Sequence, residues 1–492
     1  MKKKSYLEYL AVASLLVTFF GYFAVKVWDI DFWWHIAAGR NILESGSIPS
    51  TDPFGVYNAD NVWGQTVLKS QWLGQVLLYL VYHLFGIDGI ILFRAVVLTV
   101  SLAIVYLRCR VAGTANLFSI VITALAGMAI LQFTGERPQL FSYLYLSLVF
   151  LLLDAFFNYG KRWQLYCIPL VMLVWSNTHA GSILGLVALG IFYVGMLFEN
   201  RWAEKHFNSA QSSLFLKILC LSAVAVACTP NGLATIVRII FVENVFFVES
   251  NPLRDRVSEY AYPWTLWPAT QFYWMFVAVF LISLPGFVNK RFLKQGVMLV
   301  AIFIISLTGY RYIPLFVLLA GPYVADSFGR LMSRINPSYI PVNLFVLVFS
   351  LVCLGYGLKQ ERIFQSGLLE ERIPAGAVAF IQANKLGGKM FNTMNWGGYL
   401  TWQLSGAVTV FIDGRMLDPK RLIPYTHILW TTPEGRSFFE QENFDLALVP
   451  YGNVFTGERY PLVNYLQSRP DWLTAYRDAT GYLFVRRESR AH

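Results

Sequence analysis

Apolar segments long enough to cross a lipid bilayer recur along this 492-residue chain, and they constrain its fold more than any other feature. A helix needs about 20 predominantly apolar residues to span the hydrocarbon core, and such runs return from about residue 6 to about residue 357. The sequence is 56% hydrophobic and only 14% charged, whereas soluble proteins usually carry about a quarter charged residues. The sequence therefore predicts a polytopic α-helical membrane protein.

Basic residues in the loops between these segments indicate an orientation in the membrane. The net charge is +10, but the Lys and Arg residues are scattered and form no basic stripe, so we expect no nucleic-acid partner. Cytoplasmic loops of membrane proteins carry an excess of Lys and Arg, and Lys2, Lys3 and Lys4 therefore place the N-terminus in the cytoplasm. No small-residue cleavage site follows the first apolar run, which we interpret as a retained span.

The same charge rule decides which segments cross the membrane. Two apolar stretches, Gln71–Phe85 and Gly89–Leu107, follow the first polar loop. If both crossed, Arg108 and Arg110 would lie outside and every later loop would violate the rule, so the first stretch is expected to be an interfacial helix on the outer face. About eleven spans result, near residues 6–28, 88–108, 114–134, 139–158, 163–178, 181–199, 212–230, 267–288, 294–309, 311–328 and 340–357.

The composition changes after about residue 358. Residues 1–358, including a first external loop at 29–87, are expected to form the transmembrane domain, and residues 359–492 a small external α/β domain. Short apolar segments punctuated by glycine-containing turns predict strands, and an amphipathic pattern predicts a helix at 374–384. The strands are expected at 389–393, 407–412, 446–449, 473–476 and 482–485.

The first external loop is the best candidate for a polar site at the membrane surface. Between Asp29 and Trp72 it holds five acids, one histidine and four tryptophans. Tryptophan favours the headgroup level, and a carboxylate beside apolar surface can have its pKa raised. Asp29 and Asp31 are candidate catalytic residues, and as a D-x-D pair they could also hold a divalent cation. The alternative is that both simply cap an interfacial helix.

Other predicted external turns carry polar residues against the ends of hydrophobic helices. Arginines there suit a phosphate, through bidentate charge-assisted bonds, although charges at helix ends often only extend toward the headgroups. HExxH and CxxC motifs, P-loops and Ser/His/Asp arrangements are missing from the sequence, and all five cysteines lie in or beside apolar segments. The candidate substrate-binding residues are His35, Arg40, Glu136, Arg137, His179, Glu259 and Arg311, with the 254–256 turn as a further polar stretch.

This layout resembles the GT-C superfamily of membrane glycosyltransferases, whose sugar donors are polyprenyl phosphates. Lipid A aminoarabinose transferases and protein O-mannosyltransferases have an acid at the start of the first external loop, followed by two interfacial helices. Here no Glu follows Asp31, and Gln71-Trp72 replaces a Pro-Pro pair. The matching pieces are Asp31, 39–43, 46–49, 71–73, Phe85-Gly86 and Phe93-Arg94.

A closer resemblance is to uncharacterised bacterial membrane proteins. They share an Asp followed by Trp-Trp-His, an Asp-Pro-Phe turn and two tail motifs, which are Trp396–Leu400 and Phe411–Arg415 here. The resemblance implies a bacterial inner-membrane protein with a periplasmic C-terminal domain. Residues Trp396–Tyr399 and Asp413–Arg415 are the candidate acceptor surfaces of that domain, with packed core and a plain turn as the alternatives.

The resemblance also implies an inverting glycosyl transfer at the external face. Asp31, which matches the family's spacing to Arg40, would be the general base, and Arg137 and Arg311 would hold the phosphate of a polyprenyl-phosphate-linked sugar. The acceptor would be a glycan, a lipid or a protein. The alternative from another class is a transporter or a non-catalytic assembly component for a lipid-linked glycan, which would not need a basic Asp.

Overall fold

The computed structural model describes residues 6–55, 62–202, 209–241, 258–287, 292–332, 339–452 and 457–487. These residues divide into two compact units, and each unit is assembled from separate parts of the chain. Unit 1 comprises residues 1–25, 88–134 and 138–366, and unit 2 comprises residues 26–87, 135–137 and 367–492. The predicted boundary at 358/359 differs from this division, because the first loop groups with the C-terminal part and not with the spans.

Unit 1 is helical, and each of the eleven predicted spans overlaps one of the helices that the structure describes. Seven of the described helices, among them α4 (Trp72–Val111), are long and apolar enough to cross a membrane, and three shorter apolar helices accompany them. The helices lying within unit 1 are α1 (Tyr6–Phe23), α5 (Asn116–Ile130), α6 (Gln139–Tyr159), α7 (Trp163–Thr178), α8 (Ser182–Trp202), α9 (Ser209–Ala227), α10 (Ala234–Phe241), α11 (Gln271–Ser283), α12 (Leu293–Thr308), α13 (Ile313–Leu331) and α14 (Tyr339–Lys359).

Helix α13 is the buried centre of unit 1, since every residue from Ile313 to Ala325 is buried. It packs against α5, α6, α11 and α12. A buried polar cluster also ties it to α6: the Tyr323 hydroxyl donates to Asp154 Oδ1 at 2.6 Å, and Arg108 Nε donates to Asp154 Oδ2 at 2.8 Å. Arg108 was expected in a loop at the end of a span, but it lies within a helix. Its side chain is fully buried because Asp154 compensates its charge.

Helix α4 (Trp72–Val111) runs through the two apolar stretches that the sequence separated. The expected interruption is present at Gly86, whose φ of 63° and ψ of −158° lie outside the helical region. Only glycine adopts such a backbone conformation without a steric penalty. The residues before this point belong to unit 2 and those from Asp88 onward to unit 1.

Unit 2 is built on a five-stranded mixed sheet of order β2-β1-β3-β5-β4. Strands β2 and β3 flank β1 in parallel, whereas β5 pairs antiparallel with both β3 and β4. All five predicted strands are present, each shifted by at most two residues at its ends. They are β1 (Gly388–Asn392), β2 (Val408–Val410), β3 (Leu446–Pro450), β4 (Trp472–Arg477) and β5 (Gly481–Arg486).

The core of unit 2 lies around the central strand β3, in which all five residues are buried. The rings of Phe391, Phe411, Phe439 and Phe444 pack beside it in T-shaped and tilted pairs, with centroid distances of 5.1 to 5.8 Å. The predicted helix at 374–384 is α15. The helices of unit 2 are α2 (Phe32–Ser45), α3 (Val62–Lys69), α15 (Ala375–Ala383), α16 (Met394–Leu404), α17 (Leu422–Leu429), α18 (Pro433–Glu442) and α19 (Pro461–Ser468).

Candidate active site

Asp29 and Asp31 lie at the start of α2 and have different roles there. Asp29 Oδ1 accepts the backbone N–H of Asp31 at 3.0 Å, so Asp29 shapes the turn into the helix. Asp31 is the N-cap residue, but its side chain makes no capping hydrogen bond to α2, a helix that the structure describes in full. An N-cap aspartate normally accepts a bond from the second or third helical N–H. The capping alternative is therefore wrong for the Asp31 carboxylate.

Arg137 bridges the two carboxylates. Its Nε lies 2.5 Å from Asp29 Oδ2, and its Nη1 lies 3.1 Å from Asp31 Oδ2. Glu136 is fully buried beside them and accepts the Asp29 N–H at 3.0 Å. Gly135 permits this approach, because a Cβ there would lie 2.1 Å from Asp29 Oδ2. The structure thus brings three predicted acids and one predicted arginine together within unit 2.

Gly414 covers the other side of the Asp31 carboxylate. A Cβ at Gly414 would lie 2.0 Å from Asp31 Oδ1 and 3.2 Å from Trp34 Nε1. The Trp34 N–H is buried without a hydrogen-bond partner among the described residues, and a buried donor of this kind costs about 1–3 kcal/mol. Trp34 was not among the predicted site residues, and Gly414 was expected as part of a surface. The Trp-Trp-His and Asp-Gly-Arg patterns were the only sequence signals at these two positions.

A buried ion cluster holds the backbone on both sides of Gly414. Arg415 donates to Asp413 Oδ2 from Nε at 2.8 Å and from Nη2 at 2.6 Å, and to Asp52 Oδ1 from Nη1 at 2.6 Å. The three side chains are 0 to 3% exposed. Burial raises the pKa of Asp413, and the Arg415 guanidinium opposes that rise. Asp52 belongs to the first loop, so this cluster joins that loop to the end of β2.

The two glycines after Trp396 bring α16 into close packing. A Cβ at Gly397 would lie 2.1 Å from the Ile412 carbonyl oxygen, and one at Gly398 would lie 3.2 Å from that of Ile30. Trp396 and Tyr399 are each 7% exposed. The expectation that Trp396–Tyr399 forms an acceptor surface was therefore wrong, and the alternative of packed core is correct.

His35 and Arg40 both lie on α2, and His35 is one turn beyond Asp31, whose carbonyl oxygen accepts the His35 backbone N–H at 3.3 Å. His35 is 2% exposed, and its ring lies 3.5 Å from that of Trp34. Arg40 is nine residues beyond Asp31, about 13 Å along the helix axis, and its guanidinium stacks over the Trp402 ring at 4.3 Å. The substrate-binding roles of His35 and Arg40 stay predictions.

A second polar group lies within unit 1 and brings His179, Glu259 and Arg311 together. The Arg311 guanidinium lies 5.0 Å over the Tyr260 ring, and the Tyr310 N–H donates to the Ala261 carbonyl at 2.9 Å. Burial and then the nearby Arg311 lower the pKa of His179 to about 3, against a smaller opposing effect of Glu259. The predicted 254–256 turn lies outside the described residues.

Hydrogen bonds fix the His179 tautomer. The indole N–H of Trp175 donates to Ser142 Oγ at 2.8 Å, so the Ser142 hydroxyl is directed to His179 Nδ1 at 2.7 Å. The Gly181 N–H donates to the same nitrogen at 3.0 Å. Nδ1 is therefore an acceptor, and the proton of the neutral ring is on Nε2. His179 can donate one hydrogen bond from Nε2 to an anionic ligand.

The described residues contain no group of three His, Cys, Asp or Glu side chains arranged to hold a metal ion. The D-x-D pair is instead bridged by the Arg137 guanidinium. A divalent cation bound by Asp29 and Asp31 would have to compete with Arg137 for the same oxygens.

Comparison with known proteins gives a match at the level of structure. No family model matches the sequence, and no curated protein matches it significantly. The oligosaccharyltransferase AglB from Archaeoglobus fulgidus, solved with an inhibitory peptide and a dolichol-phosphate, superposes with a TM-score of 0.56 at 10% identity, over 91% of this chain and 69% of AglB. The chain has a GT-C fold. The same archaeal enzyme with Zn and sulfate gives a TM-score of 0.54 at 11% identity, over 90% of this chain and 68% of that one.

A second GT-C protein matches more of this chain. The mycobacterial arabinofuranosyltransferase AftD superposes with a TM-score of 0.57 at 12% identity, over 98% of this chain but only 40% of AftD. The GT-C fold that the first loop predicted by resemblance is thus confirmed. The chain is a membrane protein. At this identity the likeness concerns the fold, so residue roles must be argued from the geometry of this chain.

Proposed function

We propose that this protein is an inverting glycosyltransferase that moves a sugar from a polyprenyl-phosphate-linked donor to an acceptor hydroxyl. The observation that carries the proposal is the set of contacts that the Asp31 carboxylate makes. Its carboxylate is kept at the start of α2 by Arg137 and Gly414, outside the capping role that would explain an ordinary aspartate there. The GT-C fold supports the same activity, because the superposed proteins are glycosyltransferases.

In the proposed step, Asp31 takes the proton of the acceptor hydroxyl. The acceptor oxygen forms a bond to C1 of the sugar from the face opposite the phosphate. The bond between C1 and the phosphate oxygen breaks, and polyprenyl phosphate leaves with the electron pair. General-base assistance contributes about 10²–10⁴-fold, so much of the remaining acceleration must come from positioning and from charge stabilisation at the leaving phosphate.

We assign the phosphate of the donor to Arg311 and His179. Arg311 can form bidentate charge-assisted bonds with phosphate oxygens, and His179 presents a donor at Nε2. Arg137 was predicted for the same role, but its Nε and Nη1 are committed to Asp29 and Asp31. We therefore propose that Arg137 mainly orients the acids. Asp29 has a supporting role, since it also bonds the backbone of Asp31.

We place the reaction at the periplasmic face of a bacterial inner membrane, with the N-terminus in the cytoplasm. The basis is the distribution of Lys and Arg over the predicted loops. The acceptor is a glycan, a lipid or a protein carrying a free hydroxyl. The experiment below identifies the sugar.

The experiment uses a deletion strain complemented with the wild-type chain or with Asp31→Asn. Mass spectrometry of lipid extracts should show a polyprenyl-phosphate-linked sugar that accumulates in the deletion strain and disappears with the wild-type chain. Asp31→Asn should leave it accumulated at equal levels of inserted protein. Full complementation by Asp31→Asn would favour a transporter or assembly component, because neither needs a basic carboxylate.

A further inference from the structure

We propose that the 413–415 loop of the C-terminal domain positions the Asp31 carboxylate for catalysis, with Arg415 clamped between Asp413 and Asp52. This inference rests on the proposed function and extends it. It assigns a role in the chemistry to a part of the chain far from the first loop in sequence. The first loop and residues 367–492 belong to one compact unit.

The first argument is steric. The backbone of Gly414 approaches Asp31 so closely that a Cβ would lie 2.0 Å from Oδ1, well inside van der Waals contact. The backbone φ of Gly414 does not require glycine, because it lies outside the left-handed region. Glycine is therefore needed at this position for its lack of a side chain. Any larger residue must displace either the loop or the carboxylate.

The second argument is that the loop cannot easily yield. Arg415 binds the Asp413 carboxylate through Nε and Nη2 and that of Asp52 through Nη1. The Arg415 N–H also donates to Asp413 Oδ1 at 3.0 Å. Behind the loop, Gly397 of α16 lies against the backbone of Ile412 and Asp413. The loop is therefore held between α16 on one side and the first loop on the other.

Together these contacts hold the carboxylate from two sides. Oδ2 faces Arg137 Nη1 at 3.1 Å, and Oδ1 faces the Gly414 backbone. The atom of a general base that takes the proton must come within about 2.6–3.2 Å of the oxygen that carries that proton. A displacement of about 1 Å at a reacting group can lower the rate by about a hundredfold. The 413–415 loop thus acts through Asp31 and is a positioning element.

The central variant is Gly414→Ala, and Gly435→Ala is its matched control. A Cβ at Gly435 would lie 2.1 Å from the His427 carbonyl oxygen, an overlap as severe as that at Gly414 but between α18 and α17. Each variant adds one methyl group to the same domain, but only the methyl group of Gly414→Ala overlaps the Asp31 carboxylate. Arg415→Gln removes the clamp without adding bulk, and it replaces Gly414→Ala if that variant fails to insert. Arg415→Lys keeps the charge but cannot bridge two carboxylates bidentately.

Two measurements are made on full-length protein in detergent micelles, at equal folded fractions. The first is steady-state transfer with the lipid extract of the deletion strain as donor. In Gly414→Ala and Arg415→Gln, kcat should fall by about a hundredfold, with little change in the KM for donor. The acidic limb of the kcat/KM pH profile should move, and Arg415→Lys should restore part of kcat. A purely structural role would lower the folded fraction and leave these parameters unchanged.

The second measurement does not depend on activity. Water-soluble carbodiimide with glycine ethyl ester labels accessible carboxyl groups, and peptide mass spectrometry gives the rate at Asp31. Asp31 should lose its protection in Gly414→Ala and Arg415→Gln but keep it in Gly435→Ala. Equal labelling and equal kcat in Gly414→Ala and Gly435→Ala would overturn the inference. Loss of protection at Asp31 in Gly414→Ala, together with a wild-type chain that transfers no sugar, would overturn the proposed function and leave the positioning of Asp31 intact.

Discussion

The Asp31 carboxylate pairs with Arg137 Nη1 at 3.1 Å, and among the described residues of α2 it caps no backbone N–H. The two residues come from different parts of the sequence, because Arg137 follows α5, far beyond the first loop. A side chain that only terminated a helix would need no such partner. The pair is therefore the structural basis for treating Asp31 as a reactive group.

Asp31 should matter more than Asp29. Asp31→Asn is expected to lower transfer by about 10²–10⁴-fold, the usual contribution of a general base. Asp29→Asn should cause a smaller loss, because the amide keeps an acceptor for the Asp31 N–H and loses only the charge facing Arg137. Transfer rates normalised to inserted protein measure both. Loss of activity in Asp29→Ala with most activity retained in Asp31→Ala would reverse the assignment.

Arg311 and Arg137 should differ in which kinetic parameter they control. Arg311→Gln removes a charged hydrogen bond to phosphate, worth about 1.5–3 kcal/mol, and should raise the KM for donor by roughly 10- to 150-fold. Arg137→Gln should mainly lower kcat, since its guanidinium orients Asp29 and Asp31.

Arg436→Gln is the matched control for Arg311→Gln. It breaks a comparable arginine–tyrosine stack, 5.2 Å over Tyr465 against 5.0 Å over Tyr260, in the C-terminal domain. It should leave the KM for donor unchanged. Equal increases in the KM for donor and for acceptor in Arg311→Gln would indicate a structural role and not phosphate binding.

His179 should make the folded protein less stable in mild acid. Its folded pKa of about 3 lies below the ordinary value of 6.5, so its contribution to stability is complete above pH 6.5 and is lost as pH falls toward 3. The slope is at most about 1.4 kcal/mol per pH unit. Thermal unfolding in detergent between pH 7 and pH 5 should therefore vary less in His179→Gln than in wild type. His427→Gln replaces an exposed histidine as the control, and equal slopes in all three proteins would contradict the prediction.

The sequence predicted the elements of this fold better than their grouping. Short apolar segments between glycine-containing turns indicated all five strands, and the Gly86 interruption followed from a break between two apolar runs. Both signals are local. The association of residues 135–137 with the first loop was not predictable in this way, because Arg137 and its two carboxylate partners meet only through the folded chain.

Buried polar residues show the same limit. Arg108 was predicted to lie in a loop because its partners Asp154 and Tyr323 are on two other helices, which the local sequence does not show. Gly397 and Gly398 read as a turn, but they mark the places where α16 meets other backbone closely. The candidate acid Asp31 was predictable from its position and from the GT-C resemblance. Its neighbours Gly414 and Arg415 were quoted only as a motif, without their role.

The C-terminal domain should lie outside the cell membrane. Ser468 is exposed at the end of α19, and Ser468→Cys in a chain without its native cysteines should react with an impermeant maleimide in cells with a permeabilised outer membrane. Lys161→Cys, in a predicted cytoplasmic loop, is the control and should react only after the inner membrane is lysed. Labelling of Lys161→Cys but not Ser468→Cys in unlysed cells would invert the predicted topology.

The central claim is that Asp31 catalyses sugar transfer from a polyprenyl-phosphate-linked donor. The direct measurement uses purified wild-type and Asp31→Asn proteins in micelles, with the lipid extract of the deletion strain as donor, acceptor-containing membranes from that strain, and a magnesium titration. Mass spectrometry follows the release of polyprenyl phosphate. Wild type should consume the sugar-linked lipid and release polyprenyl phosphate, while Asp31→Asn binds the lipid without converting it. Equal release by both proteins, or conversion by neither at any magnesium concentration, would contradict the account.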